Sequence, residues 1–279
     1  MKVILAEHAG ACYGVQRALD MAVEASAEGE GASTLGPLIH NPQVVADLAE
    51  RGVRAVSGPE DVERGSVIIR SHGVTPAVRR MVEERGLPLI DATCPHVARA
   101  QKAAAALARR CGRVVVVGEE GHPEVEGLVA HAREAGGEVA VVAGPADLPD
   151  GLEAPVGIVV QTTQTREALD AVVAALVARG IEPEVKNTIC FATRQRQESA
   201  AALADAVDAI VVIGGRNSSN TTRLADICAA ACPRTHHIEA PEEIEPAWFV
   251  DCGSVGVTAG ASTPEDQIAA CLLYTSRCV

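Results

Sequence analysis

The most constraining feature of this chain is the regular alternation of short aliphatic runs with segments of helical pattern. Runs at 2–7, 66–71, 87–92, 113–118, 138–143, 156–162, 185–189, 209–214 and 254–258 read as strands. They are rich in Val and Ile and lack polar alternation, as strands buried on both faces do. Helical patterns fall between them at 13–27, 42–51, 76–85, 97–110, 124–134, 166–178, 194–207 and 221–230. Alternation of this kind builds βαβ units, so the expected fold class is α/β with mainly parallel sheets.

Composition narrows what such a fold can do. The 279 residues provide for two or three small domains. Tyr13, Phe191, Trp248, Phe249 and Tyr274 are the only aromatic residues, so the core has to be built from Val, Ile, Leu and Ala. A net charge of −13 argues against nucleic acid or a membrane surface as partner. No apolar run approaches the ~18 residues of a membrane span. The apolar stretch after Met1 and Lys2 is too short for a signal peptide, and the expected location is cytoplasmic. Nine cysteines, an odd count without a secretion signal, point to metal or redox chemistry rather than a disulfide scaffold.

Three of those cysteines reveal a weak repeat. Cys12 (Cys-Tyr-Gly-Val-Gln-Arg), Cys94 (Cys-Pro-His-Val-Ala-Arg) and Cys190 (Cys-Phe-Ala-Thr-Arg-Gln) each follow a strand and open a helix. Their spacing predicts three similar small α/β units without long linkers. The first spans 1–94, with Cys12, His40 and His72. The second spans 95–187, opened by Cys94 and carrying His122 and Glu124. The third spans 188–268, with Cys190, the 217–220 loop and Ser262. Residues 269–279 lose the amphipathic pattern expected of a last helix and read as an atypical tail, truncated or foreign.

Loops at the carboxyl ends of parallel strands converge on the ligand crevice. A thiol at a helix N-terminus is favoured as thiolate. The sequence has no close C-x₂-C pair of the kind that marks zinc sites. An iron–sulfur cluster accepts ligands from distant loops but usually takes four cysteines, and three would leave one iron open to a substrate. The competing reading is three ordinary buried cysteines. Cys111, Cys228, Cys232, Cys252, Cys271 and Cys278 lack the junction pattern and read as fillers or tail residues.

His40, His72 and His122 share a second pattern. Each follows a strand and precedes a helix with Pro in its first turn, which makes a ready anion or metal site. His96, His131, His236 and His237 do not share it, and His8 is ambiguous. Glu124, two residues past His122, suits a general acid if buried, or a first-turn helix glutamate, a role that Glu126 fits better. The loop 214–222 combines glycines with the neutral donors Asn217, Ser218, Ser219 and Asn220 before a helix. It is a phosphate-binding loop in physical terms without being a Walker sequence. Ser262 repeats the theme, and Thr162 ends a third strand with a hydroxyl. The plain alternative for such residues is N-capping, expected for Thr221 and Thr263.

Together the segments resemble the 4-hydroxy-3-methylbut-2-enyl diphosphate reductases, the LytB/IspH family of the non-mevalonate isoprenoid pathway. The resemblance is carried by Gly-Ala-Cys-Tyr-Gly-Val (10–15), Leu-Ile-His-Asn-Pro (38–42) and Arg-Ser-His-Gly-Val (70–74). Asp-Ala-Thr-Cys-Pro (91–95), Gly-His-Pro-Glu-Val-Glu-Gly (121–127) and Gln-Thr-Thr (161–163) extend it. Ile-Cys-Phe-Ala-Thr-Arg-Gln-Arg-Gln (189–197), Asn-Ser-Ser-Asn (217–220) and Val-Thr-Ala-Gly-Ala-Ser-Thr-Pro (257–264) complete it.

The resemblance implies three units in a pseudo-threefold arrangement around one [4Fe–4S] cluster held by Cys12, Cys94 and Cys190. It implies diphosphate binding by His40, His72, His122, Ser218, Ser219, Asn220 and Ser262, substrate contact by Thr162, and proton delivery by Glu124. The implied reaction is reductive dehydroxylation to isopentenyl and dimethylallyl diphosphate, fed by a ferredoxin- or flavodoxin-type donor. Ala11 departs from the family, which usually has phenylalanine before this cysteine. A cluster-dependent dehydratase of a small phosphorylated substrate and a non-catalytic metal- or phosphate-ligand module are the rival readings.

Overall fold

A computed structural model describes residues 1–27 and 31–278 of the chain. In chain order the strands are β1 (Lys2–Leu5), β2 (Ala32–Leu35), β3 (Val53–Val56), β4 (Ser66–Ile69), β5 (Leu89–Asp91) and β6 (Arg113–Val117). They continue with β7 (Glu138–Val142), β8 (Val156–Val160), β9 (Glu184–Lys186), β10 (Ala209–Ile213), β11 (Thr235–Ile238) and β12 (Ser254–Ala259). The first helices are α1 (Tyr13–Ala27), α2 (Pro42–Glu50), α3 (Pro76–Glu84) and α4 (Pro95–Cys111). After them come α5 (Pro123–Glu134), α6 (Arg166–Ala178), α7 (Phe191–Ala204), α8 (Ser219–Ala231) and α9 (Glu265–Cys278). None of the described helices is long and apolar enough to cross a membrane.

Among the described residues the strands form three four-stranded sheets, ordered β3-β2-β4-β5, β7-β6-β8-β9 and β11-β10-β12-β1. Every pairing is parallel. The inner strands β8 and β10 are buried along their whole length, which accounts for their unbroken aliphatic sequences. Each buried Val, Leu or Ile side chain contributes about 1.5–3 kcal/mol, so these short runs anchor the sheets without aromatic residues. The chain divides into two compact units. One comprises Met1–Gln16, His40–Val44 and the chain from Phe191 onward, and contains the β11-β10-β12-β1 sheet. The other comprises Arg17–Ile39 and Val45–Cys190, and contains the remaining two sheets.

Two expectations need correction. The first strand does not belong to a unit spanning 1–94: β1 pairs with β12, Lys2 opposite Ser254 and Leu5 opposite Val257. The reason is topological. The segment after Cys190 supplies only β10, β11 and β12, and β1 fills the edge position that β5 and β9 hold in the other sheets. Nor do residues 269–278 lack a helix, since α9 runs to Cys278. Among its described side chains Ile268, Cys271 and Thr275 are buried, at helical spacing, and Thr275 Oγ1 donates to the Cys271 carbonyl at 2.7 Å. Small and polar residues hide this stripe from a hydrophobicity reading. The strands β2 (Ala-Ser-Thr-Leu), β3 (Val-Arg-Ala-Val) and β11 (Thr-His-His-Ile) are likewise too short and polar to stand out.

Candidate active site

The three sheets deliver loops in matching places. Beyond the second strand of each order lie His40 (after β2), His122 (after β6) and Asn217–Asn220 (after β10). Beyond the third lie His72 (after β4), Thr162 (after β8) and Ser262 (after β12). Beyond the fourth lie Cys94 (after β5), Cys190 (after β9) and Cys12 (after β1). All are at the carboxyl ends of parallel strands, where such sheets bind ligands.

The three cysteine junctions share a backbone device. The Cys94 N–H donates to the Ser71 carbonyl at 2.9 Å, that of Cys190 to Thr162 at 3.0 Å, and that of Cys12 to Ala261 at 3.2 Å. Each acceptor is Thr162 itself or the residue preceding His72 or Ser262, so every cysteine is tied to the loop after the third strand of its own sheet. Two junctions turn on an Asx side chain three residues before the cysteine. Asp91 Oδ1 accepts from Thr93 N–H at 3.0 Å, and Asn187 Oδ1 accepts from Ile189 N–H at 3.0 Å. The third uses Gly10 at φ 82°, whose carbonyl accepts from Arg196 Nε at 2.9 Å and Nη2 at 2.6 Å.

Cys12 and Cys94 are half-buried, Cys190 is buried, and none forms a disulfide. No fourth described cysteine has this setting. Cys111, Cys228, Cys232 and Cys271 lie in aliphatic clusters, and burial pushes the Cys228 and Cys271 thiols up to about 12. Cys252 Sγ accepts from Arg234 at 3.1 Å. Three cysteines at equivalent strand-to-helix junctions, none of them in a disulfide, are ligands of the chemical type an iron–sulfur cluster takes.

In the unit that holds β6 and β8, Glu124 is 1% exposed. Its Oε1 accepts from the Thr162 N–H at 2.6 Å and its Oε2 from Thr162 Oγ1 at 2.8 Å. Burial raises its carboxyl from 4.5 to about 7, against the lowering effect of the two Thr162 hydrogen bonds. His122 caps α5: its Nδ1 accepts from the Glu124 N–H at 3.1 Å, which leaves Nε2 to carry the proton of the neutral ring. The His72 ring stands edge-on to His122, centroids 5.5 Å apart. Both the N–H and Oγ of Ser71 donate to the Leu38 carbonyl, at 3.2 and 3.0 Å, fixing the loop before His72.

In the other unit, Ser262 Oγ donates to the His40 carbonyl at 3.0 Å. A Cβ at position 215 would lie 2.7 Å from that same oxygen, so the close approach requires Gly215. Asn41 completes the corner, its Nδ2 donating to the Ser262 carbonyl and to Gln267 Oε1, both at 2.9 Å. Ser218, not Thr221, caps α8 by accepting from the Thr221 N–H, and Thr263 Oγ1 bonds the Ile213 carbonyl at 3.0 Å instead of capping. Ser219 and Asn220 are buried in the first turn. Asn220 is 4% exposed, and neither atom of its amide has a hydrogen-bond partner among the described residues. An unpaired buried amide is costly and marks a place for a polar ligand.

Asn41 and Gln267 escaped the sequence reading, although Asn41 lies inside the His-Asn-Pro motif. His131, His236 and His237 lie against neighbouring structure instead. His236 stacks on Trp248 with centroids 3.9 Å apart, His237 Nε2 is 2.9 Å from the Gly214 carbonyl, and His131 Nδ1 is 2.8 Å from the Gly127 carbonyl.

The LytB protein family model matches residues 3–274. The 4-hydroxy-3-methylbut-2-enyl diphosphate reductase of Citrifermentans bemidjiense is 50% identical over 95% of this chain and 93% of its own length. That of Pelobacter propionicus is 48% identical, over 95% and 94%. A solved structure of (E)-4-hydroxy-3-methyl-but-2-enyl diphosphate reductase, described as the terminal enzyme of the non-mevalonate pathway, is 44% identical. It superposes with a TM-score of 0.72, covering 99% of this chain and 100% of that one. The reductase structure from Plasmodium falciparum, at 24% identity, shares the fold with a TM-score of 0.88, over 96% and 86%. With most of its length matched at this level, the chain belongs to the LytB family.

Proposed function

We propose that the chain is a 4-hydroxy-3-methylbut-2-enyl diphosphate reductase. It removes the hydroxyl of the allylic alcohol diphosphate with two electrons and two protons, giving isopentenyl or dimethylallyl diphosphate and water. The observation that carries this reading is Glu124, a fully buried carboxyl with a pKa near neutrality, held on both oxygens by Thr162 and two residues past the cap His122. Hydroxide is a poor leaving group whose departure is eased by protonation, and an acid poised near pH 7 is matched to that task.

A [4Fe–4S] cluster held by Cys12, Cys94 and Cys190 would supply single electrons and a Lewis-acidic iron for C–O cleavage. The residues of the chain do the rest. His40, His72, His122, Ser218, Ser219, Asn220 and Ser262 bind the diphosphate with imidazoles and neutral donors, which explains how so acidic a chain handles an anion without a lysine cluster. Thr162 orients the Glu124 carboxyl and contacts the substrate. Glu124 carries the proton to the departing oxygen. The electron donor is a ferredoxin- or flavodoxin-type protein, and the enzyme works in the cytoplasm.

The test is anaerobic turnover of the hydroxylated diphosphate by the iron-loaded protein with a chemical reductant, wild type beside Glu124→Gln. The expected result is product from wild type only and full iron and sulfide content in both. Turnover that needs no reductant would instead establish a dehydratase. Diphosphate binding without product under any reductant would establish a binding module.

A further inference from the structure

We propose that Gln101 is a positioning residue, its side-chain amide forming a wedge between Gly73 and Gly127. The wedge sets the His72 loop against the helix that carries His122 and Glu124. Gln101 projects from α4, the helix that Cys94 caps, and is 7% exposed. A Cβ built on Gly73 would lie 2.5 Å from Gln101 Nε2, and one on Gly127 would lie 2.9 Å from the same atom. Gly73 follows His72 directly, and Gly127 is three residues past Glu124 in α5. The same nitrogen therefore fills the space that both glycines leave open, and three ligand-bearing segments meet at one side chain.

Packing alone does not call for glutamine here. The other buried residues of α4 are Val97, Ala100, Ala104, Leu107, Ala108 and Cys111. The Gln101 Nε2 is buried without a hydrogen-bond partner among the described residues. An apolar side chain would escape that desolvation cost. The length of the side chain, which brings its tip against both glycines, is what holds the two close backbones apart. The quantity it controls is the edge-on approach of His72 to His122, whose rings both belong to the diphosphate set in the function proposed above, on which this inference rests.

Gln101 also lines a cavity of about 290 Å³ with Arg79, Lys102 and His131. An amide displaced by a new methyl group at position 127 has room to swing into it, so Gly127→Ala should fold and pull the wedge out. Gln101→Ala removes the wedge directly, and Gln101→Met restores its length without the amide.

Titrating inorganic diphosphate into the anaerobic iron-loaded protein by calorimetry tests the idea, alongside KM and kcat for the hydroxylated diphosphate. Gln101→Ala and Gly127→Ala should each weaken diphosphate binding and raise KM by about 5- to 20-fold with kcat within about twofold, the signature of misplaced binding groups. The double variant should be no worse than either single one, because both remove the same contact. Gln101→Met should bind like wild type. Additive losses, an unchanged affinity in both single variants, or a Gln101→Met as weak as Gln101→Ala would overturn the wedge. Should Gln101→Ala fail to fold, Gly127→Ala against Gln101→Met decides alone. A wild type that binds diphosphate but yields no product refutes the reductase and leaves the wedge to be judged by the calorimetry. A wild type that binds no diphosphate overturns both.

Discussion

The loops after β6 and β8 and the loops after β10 and β12 hold the same places in two sheets of the same strand order, yet their chemistry is opposite. In the first pair a titratable group is fully bonded: both Glu124 oxygens accept from Thr162. In the second a neutral group is left open: the buried amide of Asn220 has no partner on either atom among the described residues. A satisfied buried acid has its position and proton affinity set before substrate arrives, whereas an unsatisfied buried amide gains its partners only from a ligand. In the function proposed above, one scaffold thus provides a proton donor in one sheet and a binding contact in another. Changes to the first should appear in kcat and pH dependence, changes to the second in KM.

The largest expected effect is on the donor. Glu124→Gln keeps the shape and one acceptor oxygen but carries no transferable proton, so kcat should fall by about 10²- to 10⁴-fold with KM changed little. Steady-state kinetics at saturating reductant measures this. More than a tenth of the wild-type rate would erase the distinction between the two loop pairs. Next comes Asn220→Leu, which should raise KM by roughly 10- to 100-fold, the loss of one or two hydrogen bonds to a charged ligand, while kcat stays within a few-fold. Because the amide is unpartnered in the free protein, the same change should leave the urea midpoint unaltered or higher. A lower midpoint would mean that Asn220 serves the fold.

This division was only half legible in the sequence. The runs of β8 and β10 are aliphatic because both faces are buried, and Cys12, Cys94 and Cys190 stand out because each interrupts a strand-to-helix turn. Glu124 was recognisable as a residue near a histidine, but its pKa depends on the Thr162 amide and hydroxyl from another strand and on complete burial, neither of which is local. Asn220 stood out as a neutral donor of a phosphate-binding loop, but its burial and lack of partners are properties of everything around it. The place of β1 was hidden for the same reason. Its partner β12 lies at the other end of the chain, and parallel pairing leaves no turn to announce it.

Stability separates the two regions further. Folding raises the Glu124 carboxyl from 4.5 to about 7. Below pH 4.5 the group is protonated in both states and contributes no difference. Between 4.5 and about 7 the folded protein keeps a proton that the unfolded chain releases, so stability falls as pH rises, and above that range the loss is complete at roughly 3 kcal/mol or less. Glu124→Gln has no such proton. Its stability relative to wild type should therefore grow by about 1–3 kcal/mol between pH 4.5 and 8 in urea titrations. Asn220→Leu should show no such pH-dependent gain. A parallel pH dependence in wild type and Glu124→Gln would mean that the carboxyl is solvated and unfit to store a proton.

The smallest effect probes the link between the carboxyl and its holder. Thr162 lowers the Glu124 pKa through its hydroxyl as well as its backbone N–H, both opposing burial. Thr162→Val keeps the shape and the backbone donor but deletes the hydroxyl. The charged form loses support, and the pKa moves further up. The falling limb of the kcat profile above neutrality should then shift to higher pH by about half a unit to one unit, with the plateau reduced by the loss of alignment. A shift to lower pH would show that the hydroxyl stabilises the neutral acid rather than the carboxylate, and the buried donor would then be tuned by Thr162 in the opposite sense.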